Sequence, residues 1–205
     1  MNKTEKYLSS AIVAIVRAKS HGEGRELAIA LLAAGVTTLE VTSTTPGYLE
    51  IISEFADRKD IAIGMGTVLK KSHVKDACAA GAKFIVSPDT SEEVIKLTKK
   101  KGLISIPGVA TASDVGRAIR FGADALKLFP ASSYGPMHLK ALSDPFPNQS
   151  WIATGGVKST DVKSWFEVGT TAFGLGGPFT SGGVDEVADR FAIFTTAIRE
   201  ARGDK

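Results

Sequence analysis

Cysteine is nearly absent from this 205-residue chain, in which Cys78 is the only one. A single cysteine excludes an internal disulfide framework and any metal site built from several cysteines, and it fits a reducing cytoplasm. Histidine is also scarce, and the three present, His21, His73 and His138, lie far apart without the spacing of metal ligands. We therefore expect a cytoplasmic protein without a metal site.

Long hydrophobic runs and strong charge are absent as well. The apolar stretch Ala11–Val16 is too short to span a bilayer and follows the polar start Met1–Lys6, so neither a signal peptide nor a membrane segment is expected. The formal net charge is +3, and the densest basic cluster, Lys99–Lys101, falls at a predicted helix end. This favours a solvated face over a nucleic-acid surface.

Nucleotide-binding signatures are missing too. The segment Gly64-Met65-Gly66 lacks the third glycine of a dinucleotide fingerprint, and no phosphate-binding loop ending in Gly-Lys-Ser/Thr occurs. We predict no organic cofactor.

What the chain does contain is an internal repeat. Four times, an apolar or alanine-rich helical end reaches a glycine and a strand follows, at Gly35, Gly81, Gly122 and Gly169. The pattern predicts strands near 11–17, 37–42, 61–66, 83–87, 103–106, 124–129, 151–154 and 171–175. It predicts helices near 22–34, 46–57, 70–80, 90–101, 111–121, 136–143, 159–168 and 183–202. This alternation predicts a (β/α)8 TIM barrel occupying residues 1–205 as one domain, with a doubly wound open sheet as the alternative.

A lysine interrupts one of the buried strands. In the run 125–130, Leu126 and Leu128 point to one side, while Ala125, Lys127 and Phe129 point to the other. A desolvated lysine can lose its proton near neutral pH, and the neutral amine attacks carbonyls. The alternatives are a lysine that snorkels to water or a structural ion pair.

Other reactive groups are predicted at the same end of the strands. Arg17 ends strand one, Glu40 points inward from strand two, and Thr67 follows the small residues at the end of strand three. A carboxylate beside an amine can shuttle protons during imine chemistry, and a guanidinium suits a substrate carboxylate. Alternatively, Glu40 forms a structural ion pair with Lys127 or Arg17, and Arg17 is an exposed rim residue.

Two glycine pairs follow the last two strands. Gly155-Gly156 and Gly176-Gly177 fall where barrels of this kind often bind phosphate through bare backbone N–H groups. The alternative is that both pairs are tight turns required by the barrel.

Six motifs follow one another along nearly the whole chain. They are Leu39-Glu40-Val41-Thr42, Gly64-Met65-Gly66-Thr67-Val68-Leu69, Phe84-Ile85-Val86-Ser87-Pro88, Ile106-Pro107-Gly108-Val109-Ala110-Thr111, Leu126-Lys127-Leu128-Phe129-Pro130 and Thr154-Gly155-Gly156-Val157. Together they resemble the class I aldolases that act on 2-keto-3-deoxy-6-phosphogluconate (KDPG), its galactonate epimer (KDPGal) and 4-hydroxy-2-oxoglutarate (KHG).

The resemblance implies a homotrimeric barrel aldolase without a cofactor, whose small-molecule substrate is a 2-keto-3-deoxy acid cleaved in its 6-phosphorylated form. The products would be pyruvate and an aldehyde such as glyceraldehyde 3-phosphate. By this resemblance Lys127 forms the Schiff base, Glu40 is the general acid and base, and Arg17 and Thr67 hold the pyruvyl carboxylate. Phe129 shapes the pocket.

The resemblance also extends to the remaining substrate-binding residues. Pro88 ends the third motif and is included among them, and the phosphate site falls on Gly155, Gly156, Gly176 and Gly177. The loop 132–136 is similar to that of the galactonate-type members.

Two positions differ from the family pattern. Thr44, which we include among the substrate-binding residues, stands where many gluconate-type members have an arginine. Pro178, which has neither a hydroxyl nor an N–H, stands where members often have a serine. Two alternative functions stay open: a phosphate-binding isomerase or epimerase in which Lys127 acts only as a charge, and a non-catalytic sugar-acid binding protein.

Overall fold

Parallel strands alternate with helices along the chain. The computed structural model describes residues 3–181 and 183–203. Across these ranges the strands are β1 Ile12–Val16, β2 Thr38–Thr42, β3 Ala62–Gly66, β4 Phe84–Val86, β5 Ile104–Ile106, β6 Gly108–Val109, β7 Leu126–Leu128, β8 Trp151–Thr154 and β9 Ala172–Leu175. The helices are α1 Lys3–Leu8, α2 His21–Ala33, α3 Tyr48–Phe55, α4 Lys71–Ala79, α5 Glu92–Lys100, α6 Ala112–Phe121, α7 Ala131–Ser143, α8 Val162–Glu167, α9 Gly177–Thr180 and α10 Val187–Arg202.

The sheet closes into a barrel through its fifth strand. The strand order is β5-β4-β3-β2-β1-β9-β8-β7-β6, and every pairing is parallel. Only Pro107 separates β5 from β6, so these two segments are halves of one strand whose first half pairs with β4 and second half with β7. The predicted (β/α)8 barrel is thus confirmed. The predicted single strand near 103–106 is instead longer and broken, because proline has no N–H for a ladder.

Local sequence signals set the ends of the helices. All four glycines of the repeat adopt positive φ, between 87° and 99°. Thr111 caps α6 in a reciprocal capping box with Asp114, and Ser91 caps α5 by accepting a hydrogen bond from the Val94 amide. The predicted helix near 159–168 begins as a 3-10 turn and becomes α-helical at Val162.

Two separate apolar cores follow from side-chain alternation in the strands. One core lies between the strands and the surrounding helices and includes Leu126 and Leu128. The other lies inside the barrel and includes Val13, Phe84 and Ala125. Ala125 points into the barrel and Leu126 points toward the helices, as predicted. Lys127 lies two residues after Ala125 and therefore also points into the barrel.

Three features were not predicted. Helix α1 packs Leu8 into the interior core, at the amino ends of the strands, and the Tyr7 carbonyl accepts a hydrogen bond from the Thr38 hydroxyl at 2.6 Å. Helix α7 begins at Ala131 and is kinked at Gly135, and α9 is a single short turn.

Across the described ranges, no helix combines the length and apolar character that crossing a membrane requires.

Candidate active site

A cavity of about 490 Å³ opens at the carboxyl ends of the barrel strands. Every residue predicted for the site lines it except Thr44. Its walls are formed by Ile15, Arg17, Glu40, Thr67, Pro88, Lys127, Phe129, Thr154, Gly155, Gly156, Val157, Gly174, Leu175, Gly176, Gly177, Pro178 and Thr180. The strands thus bring together residues from the two ends of the chain.

Lys127 occupies the interior of the barrel at the base of this cavity. It lies in register with Gly108 on one neighbouring strand and Ile152 on the other, and only 7% of its surface is exposed. Its Nζ lies 5.0 Å from the centre of the Phe129 ring. Among the described residues, no carboxylate forms an ion pair with it. The amine therefore neither snorkels to bulk water nor has a structural counter-ion.

Glu40 projects into the same cavity from β2 and is 3% exposed. Its neighbour Gly66 makes room for it, because a Cβ atom at Gly66 would stand 1.9 Å from Glu40 Oε1. The predicted alternative of an ion pair with Lys127 or Arg17 is not observed within the part of the chain that the structure describes. The carboxylate stands in the cavity without a cationic partner.

Arg17 is exposed at the mouth of the cavity, but its backbone is held on both sides. The preceding Val16 carbonyl accepts hydrogen bonds from the Thr42 and Thr45 hydroxyls, and the following Ala18 amide donates to Thr45 at 3.3 Å. These contacts fix the backbone from which the Arg17 side chain extends at the cavity mouth.

Thr67 lies at the end of β3 with φ of 56°, a left-handed conformation that is unusual for a β-branched residue. Pro88 lies nearby in the cavity wall, and a Cβ atom at Gly108 would stand 2.2 Å from the Pro88 carbonyl oxygen. The backbone at Gly108 therefore approaches the segment after β4 so closely that only glycine fits.

The two glycine pairs form the opposite wall. Gly155 and Gly156 have φ of 94° and 74°, and Gly176 and Gly177 precede and begin α9. None of these four amides donates a hydrogen bond found among residues 3–181 and 183–203. Bare amides from two adjacent strand ends suit an anion. Pro178, which has no N–H, joins the lining but adds no donor.

Thr44 is exposed outside the cavity, and its hydroxyl lies 3.0 Å from that of Thr42. Several lining residues were not predicted, notably Ile15 and Thr154. Strand alternation carries the signal for both, since Ile15 stands two residues before Arg17 and Thr154 is the last inward position of β8. No cluster of three His, Cys, Asp or Glu side chains suited to a metal ion occurs in the described ranges.

A buried amine and a buried carboxylate that line one cavity of a (β/α)8 barrel can support carbon–carbon lyase chemistry through a Schiff base. Comparison with known proteins agrees. The family model "KDPG and KHG aldolase" matches residues 4–194. A 2-dehydro-3-deoxy-6-phosphogalactonate aldolase of Escherichia coli (strain K12) is 33% identical over 93% of this chain and 95% of its own.

Solved structures show the same relationship. A native KDPGal structure superposes with a TM-score of 0.88 at 32% identity, over 94% of this chain and 96% of its own. A KDPG aldolase from Legionella pneumophila, with pyruvate captured as a covalent carbinolamine intermediate, has a TM-score of 0.80 at 27% identity, over 98% of both chains. The chain belongs to the KDPG and KHG aldolase family. It is an aldolase of the Schiff-base class.

Proposed function

We propose that the enzyme cleaves a 6-phosphorylated 2-keto-3-deoxy sugar acid to pyruvate and glyceraldehyde 3-phosphate. The observation that carries this proposal is the buried amine of Lys127, which has no ion-pair partner among the described residues and shares its cavity with the Glu40 carboxylate. The galactonate epimer is the first candidate substrate, because the relative that matches nearly the full length is named for it.

The reaction begins at the substrate ketone. The nitrogen lone pair of Lys127 adds to C2 to give a carbinolamine, which loses water to form a protonated Schiff base. We assign the proton transfers in these steps to Glu40; its carboxylate lines the same cavity and has no cationic partner in the described ranges, which supports this role.

Cleavage then breaks the C3–C4 bond. A base removes the proton of the C4 hydroxyl, the C3–C4 electron pair flows toward the iminium, and the aldehyde leaves behind an enamine. Protonation at C3 gives the iminium of pyruvate, and water releases pyruvate and the free amine. We assign the proton removal and return to Glu40, acting directly or through a bound water.

The ends of the substrate meet complementary groups. The pyruvyl carboxylate is held by the Arg17 guanidinium and the Thr67 hydroxyl, and the Phe129 ring closes the side next to Lys127. The phosphate is held by the amides of the two glycine pairs described above. Pro88 completes the wall, whereas Thr44 stands outside it and is not assigned a contact.

A coupled assay of pyruvate release tests the proposal. KDPGal and KDPG are compared with their unphosphorylated analogues and with KHG, which carries no phosphate, and we expect the phosphorylated galactonate to give the highest kcat/KM. Glu40→Gln should lower kcat by a factor of about 10² to 10³, since the amide cannot exchange protons. Absence of pyruvate from every substrate would contradict the aldolase proposal, and full activity of Glu40→Gln would contradict the role of Glu40.

The assembly is proposed to be a cytoplasmic homotrimer. Large apolar side chains are exposed at Leu69, Tyr134 and Met137, and such surface is commonly covered by another subunit. Light scattering on the purified protein should give three times the 21.5 kDa chain mass. A monomer mass would contradict this part of the proposal without touching the chemistry.

A further inference from the structure

The backbone of Thr67 is held in an unfavourable conformation at the site. It is one of three non-glycine residues in the described ranges with positive φ, and it alone of the three lines the cavity. A β-branched residue adopts such a conformation only where its surroundings impose it, and such outliers gather at functional sites.

Three hydrogen bonds hold the turn that contains Thr67. The Ser43 amide donates to the Gly66 carbonyl at 2.9 Å, and the Val68 amide donates to the Val86 carbonyl at 3.1 Å. These two join backbone groups and are open to almost any residue. The third joins the Ser43 hydroxyl to the Thr67 carbonyl at 2.8 Å, and it alone depends on a side chain.

Ser43 itself does not line the cavity. It is the first residue after β2 and is half-buried. Its hydroxyl contacts the backbone just after β3. We propose that Ser43 is a positioning residue, whose hydroxyl fixes the left-handed backbone of Thr67 and so aims the Thr67 hydroxyl at the substrate carboxylate. This inference rests on the proposed function, in which Thr67 binds that carboxylate.

The test measures the pyruvate concentration that half-saturates borohydride trapping on Lys127, read by peptide mass spectrometry. Ser43→Ala should raise it about five-fold, which corresponds to the loss of one hydrogen bond. The maximal extent of trapping should be unchanged, because an interaction equal in the ground and transition states affects saturation and not turnover. Ser43→Thr, which keeps the hydroxyl, should restore the parent value.

A double-mutant cycle shows whether Ser43 acts through Thr67. Thr67→Val removes the hydroxyl at nearly constant shape, and on this background Ser43→Ala should have no further effect. Ser9→Ala is the matched control, since Ser9 also donates to a backbone carbonyl at 2.8 Å, that of Lys6, at the opposite end of the barrel. It should leave half-saturation unchanged.

The outcomes separate this inference from the proposed function. Parent-like half-saturation in Ser43→Ala, or effects of Ser43→Ala and Thr67→Val that multiply, would overturn the role of Ser43 while Lys127 is still trapped. Parent-like behaviour of Thr67→Val would overturn the carboxylate contact and the inference with it, and absence of any adduct would overturn the Schiff base itself. If Ser43→Ala fails to fold, Ser43→Cys, a much weaker donor of similar size, takes its place with the same expectations.

Discussion

The two ends of the barrel are built on opposite principles. At the amino ends of the strands, helix α1 packs Leu8 against Val13 and Phe84, and the polar Thr38 side chain has a short hydrogen bond to Tyr7. At the carboxyl ends, an amine and a carboxylate are buried without ion pairs among the described residues, and Thr67 adopts a left-handed backbone. Burying polar groups without a partner costs free energy, whereas burying apolar surface stabilises the fold.

We infer from this difference that stability and chemistry are separated along the barrel axis. Substitutions in the closed end should lower stability and leave catalysis per folded molecule unchanged. Substitutions in the open end should do the reverse. The predictions below test this separation.

The largest effect is expected from Lys127→Met. Without the amine no Schiff base forms, so cleavage should fall by about four orders of magnitude or more, while replacing a buried polar side chain by an apolar one should leave the melting temperature equal or higher. Pyruvate release and thermal unfolding measure the two effects. The exposed Lys101→Met is the control and should keep full activity. A large loss of stability in Lys127→Met would contradict the separation of stability and chemistry between the two ends of the barrel.

Gly66→Ala should lower kcat by about ten-fold or more through Glu40, because even a small misplacement of a catalytic group is costly. The added methyl would stand 1.9 Å from Glu40 Oε1, so the carboxylate must move. Gly22→Ala is the matched control, since its Cβ meets no atom within 4 Å. Steady-state kinetics should show the loss for Gly66→Ala only, and parent-like kcat would contradict the packing of Glu40 against Gly66.

Leu8→Ala should lower the free energy of unfolding by about 2–4 kcal/mol, because it leaves a cavity in the closed end of the barrel. Urea unfolding measures this change, and kcat per folded molecule should match that of the parent. The exposed Ile29→Ala should cost much less. If Leu8→Ala lowered kcat strongly at conditions where it is folded, the two ends would be coupled and the separation would be wrong.

The smallest effect is expected at the capping box of α6. Burial raises the pKa of Asp114, but hydrogen bonds from Thr111, Arg117 and two backbone amides outweigh it and hold that pKa below its usual value. The carboxylate therefore stabilises the fold above the ordinary aspartate range and loses this contribution as pH falls through the lowered pKa.

Asp114→Asn should accordingly cost about 1 kcal/mol at pH 7, the usual value of a helix cap, and progressively less below about pH 4. Urea unfolding of the parent and of Asp114→Asn, at pH 7 and below about pH 4, measures the difference in the free energy of unfolding. Asp144→Asn, which removes a mostly exposed ion pair with Lys140, should change little at either pH. A pH-independent cost for Asp114→Asn would show that the charge of Asp114 is not what stabilises the cap.

Much of the open end could be predicted from local rules. Strand alternation is a property of a few consecutive residues, and it placed Lys127 and Glu40 inside the barrel before any contact was known. Gly122 and the other repeat glycines ended their elements as predicted, because a left-handed backbone favours that residue type wherever it occurs.

Features that depend on distant contacts could not be predicted in this way. The fifth strand is divided at Pro107 because its two halves pair with different neighbouring strands, which local sequence does not reveal. Helix α1 likewise depends on a distant contact, since Leu8 packs into the interior core of the barrel. The hydrogen bond from the Ser43 hydroxyl to the Thr67 carbonyl joins two strand ends that are not adjacent in the chain. Thr44 was included for its place in the family pattern, yet its backbone position sets it outside the cavity.

The most direct test of this account is covalent trapping of the reaction intermediate. Purified enzyme is incubated with pyruvate and sodium borohydride, and its peptides are mapped by mass spectrometry. We predict one stable pyruvyl adduct, located on Lys127 and lost in Lys127→Met. Modification at another lysine, or no adduct at saturating pyruvate, would contradict the claim that this buried amine performs the chemistry.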